Sequence, residues 1–179
     1  MTGDGQRFER VYESHYDAVL RYCLRRSTRE DAMDAAADTF VVGWRKLDDM
    51  PEGYELPWLY AVARNVLSHQ RRSAGRRVAA TVRLGGDVSL DVEPIEEAVV
   101  SREAVGELVT AIGRLGDSDR EVIRLAGWEE LDRDELAVAL GCTPNAATKK
   151  LNRALDRLAG ELGVAHRAGG RFFTRRVPQ

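Results

Sequence analysis

Apolar side chains recur in this chain at three- and four-residue steps, and nowhere does a strand-like alternation of useful length replace them. Phe8, Val11, Tyr12, Tyr16, Val19, Leu20 and Cys23 keep that spacing, which predicts one buried helix face over about 7–26. Thr28 offers an N-cap oxygen with Asp31 three residues on. Ala32, Ala36, Phe40, Val41, Trp44 and Leu47 then mark the inner stripe of a second helix. Pro51–Pro57 reads as a loop around Gly53. Pro57 suits the first turn of a third helix, because its missing N–H would be unpaired there anyway. Trp58, Leu59, Val62, Ala63, Val66 and Leu67 give that helix its apolar face, and the pattern runs to about Arg72.

From Gly75 to Pro94 no period persists, and Gly85-Gly86 interrupts the stretch, so it reads as a flexible linker. Helical spacing resumes at Ile95 and continues to Leu115. Ser118–Glu121 reads as a capping box ahead of Val122, and Asp132 with Glu135 repeats that signal ahead of Leu136. Gly141-Cys142-Thr143 predicts a tight turn. Thr143 then caps a last helix with Pro144 in its first turn and Ala147, Leu151, Ala154, Leu155 and Leu158 inward. The expectation is an all-α chain of two small helical domains, 1–74 and 95–162, joined by the linker 75–94. A mobile basic tail, 163–179, follows.

Apolar residues make up 44% of the 179 and charged ones 31%, which suits soluble helical cores and argues against general disorder. The formal charge of −2 speaks against a uniformly basic nucleic-acid binder, but the charge is segregated. Arg64 to Arg83 holds six Arg and no acid, whereas Asp87 to Glu107 holds seven acids against Arg102 alone. Local basic patches therefore coexist with near neutrality. Cys23 and Cys142 lie far apart in apolar patterns and read as reduced core thiols. His15, His69 and His166 are scattered singly, so no metal or cofactor is expected. The amino end is polar and no apolar run approaches about 20 residues, so neither a signal peptide nor membrane insertion is expected.

Asp134 to Leu155 is the most specific pattern: a helix, a glycine-containing turn and a second helix. Ala137 stands four residues before Gly141, where crossing helices need a small side chain. The second helix points Asn145, Lys149, Asn152 and Arg153 away from the core. A helix so decorated fits a major groove, where Lys and Asn can bond bases while Lys149, Lys150 and Arg153 neutralise phosphates. A plain helical hairpin would share the polar outer face. It is the combination of the Ala-to-Gly spacing, the Thr-Pro start and the basic surface that favours DNA.

In the N-terminal half, Arg64, Asn65, Arg71 and Arg72 lie on or near the outer side of the third helix, with Trp58 and Tyr60 near its start. Cations with nearby aromatics suit a single strand: the cations track its backbone while a base is drawn out. A structural Trp beside a solvated Arg cluster explains the same residues. Asp31, Asp34 and Asp38 share a strip of the second helix. Without convergent ligands that strip reads as a solvated or protein-docking face rather than a metal site.

The segments FERVYESHYDAVLRYCLRR, DAMDAAADTFVVGWRKLDD and PWLYAVARNVLSHQRRSAGRR resemble the N-terminal domain of extracytoplasmic-function (ECF) sigma factors. AIGRLGDSDREVIRLAGWEELDRDELAVALGCTPNAATKKLNRALDRL resembles their C-terminal domain. The resemblance spans about Phe8 to Leu162. It implies an RNA polymerase sigma factor, without catalytic activity, that works in the cytoplasm and directs core polymerase to promoters. It implies docking of Asp34, Asp38, Thr39, Phe40 and Trp44 on the clamp helices of the β′ subunit. It implies reading and melting of the −10 element by Gly53, Tyr54, Glu55, Leu56, Trp58, Arg64, Asn65, Arg71 and Arg72. The −35 element falls to Asn145, Thr148, Lys149, Lys150, Asn152 and Arg153, and the same domain is expected to touch the β flap. An anti-sigma factor is expected as a further partner. The chain departs from the family pattern at Ala37-Asp38, where a Gln-Glu pair is common. It departs again at Ala147 and at Thr148-Lys149-Lys150. The competing readings are a helix-turn-helix regulator acting independently of polymerase, and an enzyme on nucleic acid, which would need an acid–base or metal cluster.

Overall fold

The computed structural model describes residues 3–81 and 102–163. The chain divides into two compact units, Met1–Pro94 and Ile95–Gln179. Every regular element among the described residues is helical.

The first unit holds α1 (Gly3–Leu24), α2 (Arg29–Arg45), a 3₁₀ turn (Leu47–Asp49) and α3 (Glu55–Thr81). Each helix packs on the other two. Val19, Tyr22 and Cys23 of α1 meet Ala32, Ala35 and Ala36 of α2 and Leu59 and Ala63 of α3 in a fully buried core. The alanines let the helix axes approach closely, and the aromatic and branched side chains fill the space between them. Thr28 caps α2 as its sequence position predicts: its Oγ1 accepts from the Asp31 N–H at 3.3 Å and donates to the Asp31 carboxylate at 2.9 Å. Gly53 sits in the loop before α3 at φ +78°, a left-handed conformation that a side chain would strain.

Helix α3 is longer than its apolar stripe. It continues past Arg72 to Thr81, so the expected linker begins inside it, and 82–94 lies outside the described residues. Ala and Arg are strong helix formers, and helix propensity carries the backbone on after the stripe has ended. The first helix is likewise displaced, starting at Gly3 and ending at Leu24.

The second unit holds α4 (Arg102–Arg114), α5 (Asp117–Gly127), α6 (Arg133–Leu140) and α7 (Pro144–Glu161). The resumption of helix at Ile95 and the tail beyond Gly163 fall outside the described residues. The Asp132–Glu135 capping box forms in full. Asp132 Oδ1 accepts from the Asp134 and Glu135 N–H groups at 2.8 and 2.9 Å, and Glu135 Oε2 accepts from the Asp132 N–H at 2.9 Å. The Ser118–Glu121 box does not form. Helix α5 starts two residues earlier, with Gly116 as an N-cap that has no side-chain bond. Leu136 and Ala137 of α6 and Ala147, Leu151 and Ala154 of α7 are buried against Val122 and Leu125 of α5. No helix among the described residues is long and apolar enough to cross a membrane.

Candidate functional site

The turn between α6 and α7 sets how α7 is presented. Gly141 takes φ +61° and ψ +43°. Its N–H donates to the Val138 carbonyl at 3.1 Å, and the Cys142 N–H donates to the Ala137 carbonyl at 3.0 Å. This is a Schellman ending: it closes α6 while reversing the chain. Thr143 then caps α7, its Oγ1 accepting from the Ala146 N–H at 3.3 Å. With Ala147, Leu151, Ala154 and Leu155 inward, the opposite side of α7 exposes Asn145, Lys149, Lys150, Asn152 and Arg153. Thr148 is only half exposed, and its hydroxyl donates to the Pro144 carbonyl at 3.0 Å, so its donor is spent within the helix. Arg157, which the motif reading omits, lies one turn beyond Arg153 on the same basic side and pairs with Asp119 of α5.

In the first unit, Trp58 and Asn65 line a groove of about 540 Å³ between α2 and α3. Val62 and His69 of α3 and Asp38 and Arg45 of α2 complete its walls. The expected −10 residues are not one strip. At 100° per residue, Trp58, Asn65 and Arg72 follow one line along α3, and Arg64 and Arg71 follow another about 100° away. Gly53 is exposed, while Tyr54, Glu55, Leu56 and Trp58 are half-buried around the helix start. Below them His15 of α1 is half-buried. Burial pushes its imidazole below the ordinary value, and the nearby Glu55 carboxylate and a backbone bond at Ser14 pull the other way.

The expected docking set divides by burial. Asp34 and Asp38 are exposed, and Trp44 is 49% exposed with its ring edge-on to Phe8 at 5.2 Å. Thr39 and Phe40 occupy interior positions, Phe40 as its place in the apolar stripe predicts. Thr39 is wholly buried and bonds the Ala35 carbonyl at 2.6 Å. Phe40 is 3% exposed and packs against Phe8, Tyr12 and Tyr16. Tyr12, Val41 and Trp44, which the apolar spacing assigns to buried stripes, are each over 40% exposed, and with the equally exposed Met33, which that spacing omits, they add an apolar surface to this unit. Spacing alone does not separate the two faces here, because apolar residues fall on both the buried stripe and the exposed strip beside it. Among the described residues no three His, Cys, Asp or Glu side chains gather as a metal site.

The model for Sigma-70 region 2 matches residues 11–77 and that for Sigma-70 region 4 matches residues 106–158, together two thirds of the chain. The chain is similar to the RNA polymerase sigma factor NccH of Alcaligenes xylosoxydans, at 27% identity over 165 residues covering 89% of both proteins. It is also similar to the ECF RNA polymerase sigma factor BldN of Streptomyces coelicolor. There the identity is 26%, over 88% of this chain and 61% of that protein. This chain belongs to the extracytoplasmic-function sigma factors.

The fold agrees. The sigma factor RpoE of Bartonella quintana, solved with the anti-sigma factor NepR, superposes with a TM-score of 0.66 at 24% identity. The match covers 89% of this chain and 98% of RpoE. As an ECF sigma factor the protein is a DNA-binding transcription initiation factor whose partners are core RNA polymerase and promoter DNA. A regulator independent of polymerase is not favoured, because the region 2 match lies in the N-terminal unit, outside the helix-turn-helix.

Proposed function

We infer a division of labour between the two units of this sigma factor. The surface of α2 that exposes Asp34, Asp38 and Trp44, extended by Met33, Val41 and Tyr12, docks on the clamp helices of the polymerase β′ subunit. The loop at Gly53 and the outer side of α3 hold and read the melted −10 strand. The exposed side of α7 enters the major groove at the −35 element, and its unit touches the β flap. The protein itself performs no covalent step; it positions polymerase and traps an opened strand, and it works in the cytoplasm with the enzyme it serves. An anti-sigma factor that covers the docking surface is the natural brake, and RpoE of Bartonella quintana, similar in fold, has been solved with one.

One observation carries this reading. The chain presents a region 2 unit with an exposed apolar and acidic helix face, together with a region 4 unit whose second helix exposes Asn145, Lys149, Asn152 and Arg153. Apolar area beside charge is the anatomy of a specific protein contact, and Lys, Arg and Asn on an outward helix suit a groove. In vitro transcription tests it. Core polymerase with the full chain should give discrete transcripts from a promoter library, and core polymerase alone should not. If the protein neither copurifies with core polymerase nor changes its start sites, the reading is lost.

A further inference from the structure

The family resemblance places Arg71 among the residues that touch DNA. In the structure its Nη2 instead donates to the backbone carbonyl of Arg26, 3.1 Å away and just past the end of α1. Arg26 is itself 4% exposed. Its guanidinium lies over the Tyr22 ring, with Cζ 3.6 Å from the centroid, and its Nη1 donates to the Tyr22 carbonyl at 3.0 Å. The Tyr22 ring stacks in turn on Tyr60 of α3, with centroids 4.8 Å apart and planes at 23°. The end of α1 therefore grips α3 at Tyr60 and again at Arg71, about 16 Å further along the axis at 1.5 Å per residue.

Tyr60 and Arg71 fall within about 20° of each other around α3, so both grips act on one side of the helix. A helix held twice on one side can neither slide nor roll. The consequence lies on the other side, where Trp58, Asn65 and Arg72 run in line. With side-chain tips about 6 Å from the axis, a 30° roll would move Asn65 by about 3 Å, a whole hydrogen-bond length. Base reading by Asn65 thus depends on what stops α3 from rolling.

We propose that Arg71 and Arg26 are positioning residues: they fix the roll of α3 so that Asn65 meets its base, and Arg71 does not contact a phosphate. This rests on the assignment of α3 to the −10 strand. The test uses the full chain with core polymerase, the strongest −10 sequence from a randomised library, and the same promoter with single −10 substitutions. Open-complex affinity is measured against salt for the wild type and for Arg71→Ala, Arg26→Lys, Arg72→Ala and Asn65→Ala.

Arg71→Ala should cut selectivity between the best and the substituted promoters by about fivefold or more, the worth of one misplaced hydrogen bond. It should leave the salt slope unchanged. Arg26→Lys, which keeps the charge but loses the planar stack, should lose selectivity in the same way. Arg72→Ala should do the reverse, lowering the slope by about 0.7 with selectivity intact. The proposal falls if Arg71→Ala lowers the slope as Arg72→Ala does, which marks a phosphate contact. It falls equally if Arg71→Ala weakens every promoter alike with both readouts unmoved, or changes nothing. Should Asn65→Ala and Arg72→Ala leave both readouts untouched, the assignment of α3 to the −10 strand has failed, a result separable from the others. Because Arg71 lies on the surface, its alanine variant keeps the test open even where Arg26→Lys does not fold.

Discussion

The guanidinium of Arg120, in the first turn of α5, donates to the carbonyl of Leu115 at 2.7 Å. The same side chain donates to the carbonyls of Gly113 at 2.7 Å and Ile112 at 3.2 Å, and to the Asp117 carboxylate at 3.1 Å. One cation thus satisfies the last carbonyls of α4 and fixes the angle at which α5 leaves it. Arg120→Ala should cost about 2 kcal/mol, since charge-assisted bonds to part-buried acceptors are lost together. Chemical denaturation of the full chain, followed through the second unit, measures this. A loss below about 0.5 kcal/mol would show that water replaces the guanidinium freely.

That junction also shows where the sequence was silent. Ser118 and Glu121 have the spacing of a capping box, but the donor that organises the turn is the Arg between them, and it serves the preceding helix rather than its own. A bond from Arg120 back to Gly113 and Ile112 has no local signature. By contrast, the caps at Thr28, Asp132 and Thr143 were all legible, because each is satisfied within three residues of itself. The expected docking set divides by burial for a related reason. Asp38, Thr39 and Phe40 are neighbours in sequence, but each step turns 100°, so Asp38 faces water while Thr39 and Phe40 face the core. The same rotation separates Arg64 and Arg71 from Asn65 and Arg72.

Trp44 is half exposed and rests on Phe8, so truncating it removes little core. Trp44→Ala should leave thermal stability nearly intact while weakening the complex with core polymerase by about thirtyfold, as expected for an aromatic anchor. Asp38→Lys should instead slow association and make it less salt-sensitive, because charges at the rim act mainly on encounter. Thr39→Ala should act in the opposite sense to Trp44→Ala, altering folding rather than docking. Binding kinetics with immobilised core enzyme, alongside melting curves, separate the three.

Lys149 and Arg153 are exposed on the outer side of α7 and form no ion pair among the described residues. Replacing either with Ala should weaken promoter complexes and lower the salt slope of binding by about 0.9. Asn145→Ala or Asn152→Ala, with no charge to lose, should leave that slope alone and relax selectivity at individual −35 base pairs. Titrations on promoters with intact and substituted −35 elements at several salt concentrations read both effects. Equal salt slopes for all four variants would remove α7 from the phosphate track.

Glu130, in the turn between α5 and α6, adopts φ +52°, a left-handed conformation that its Cβ makes costly. Glu130→Gly should raise stability by about 1 kcal/mol, the relief of strain outweighing the extra freedom of glycine in the unfolded chain. The second unit should melt a few degrees higher. A lower melting temperature would mean that the Glu130 side chain holds the turn through contacts worth more than the strain.

His15 offers a pH test of the seam beside the start of α3. Its imidazole titrates below the ordinary value of 6.5, chiefly through burial, with the Glu55 carboxylate opposing. The unfolded chain therefore takes up this proton at higher pH than the folded one. The resulting stability is fully present above the unfolded value, and it is lost as pH falls through 6.5 and on through the lower folded value. Denaturation midpoints between about pH 5 and 7.5 should fall on the acid side for the wild type, and less steeply for His15→Gln, which cannot charge. Parallel curves for the two proteins would place the acid sensitivity in other groups. A fall confined to the alkaline side would reverse the sign of the burial effect. Glu55→Gln sharpens the contrast: removing the one carboxylate that favours the charged imidazole should lower the folded-state value further and steepen the acid loss.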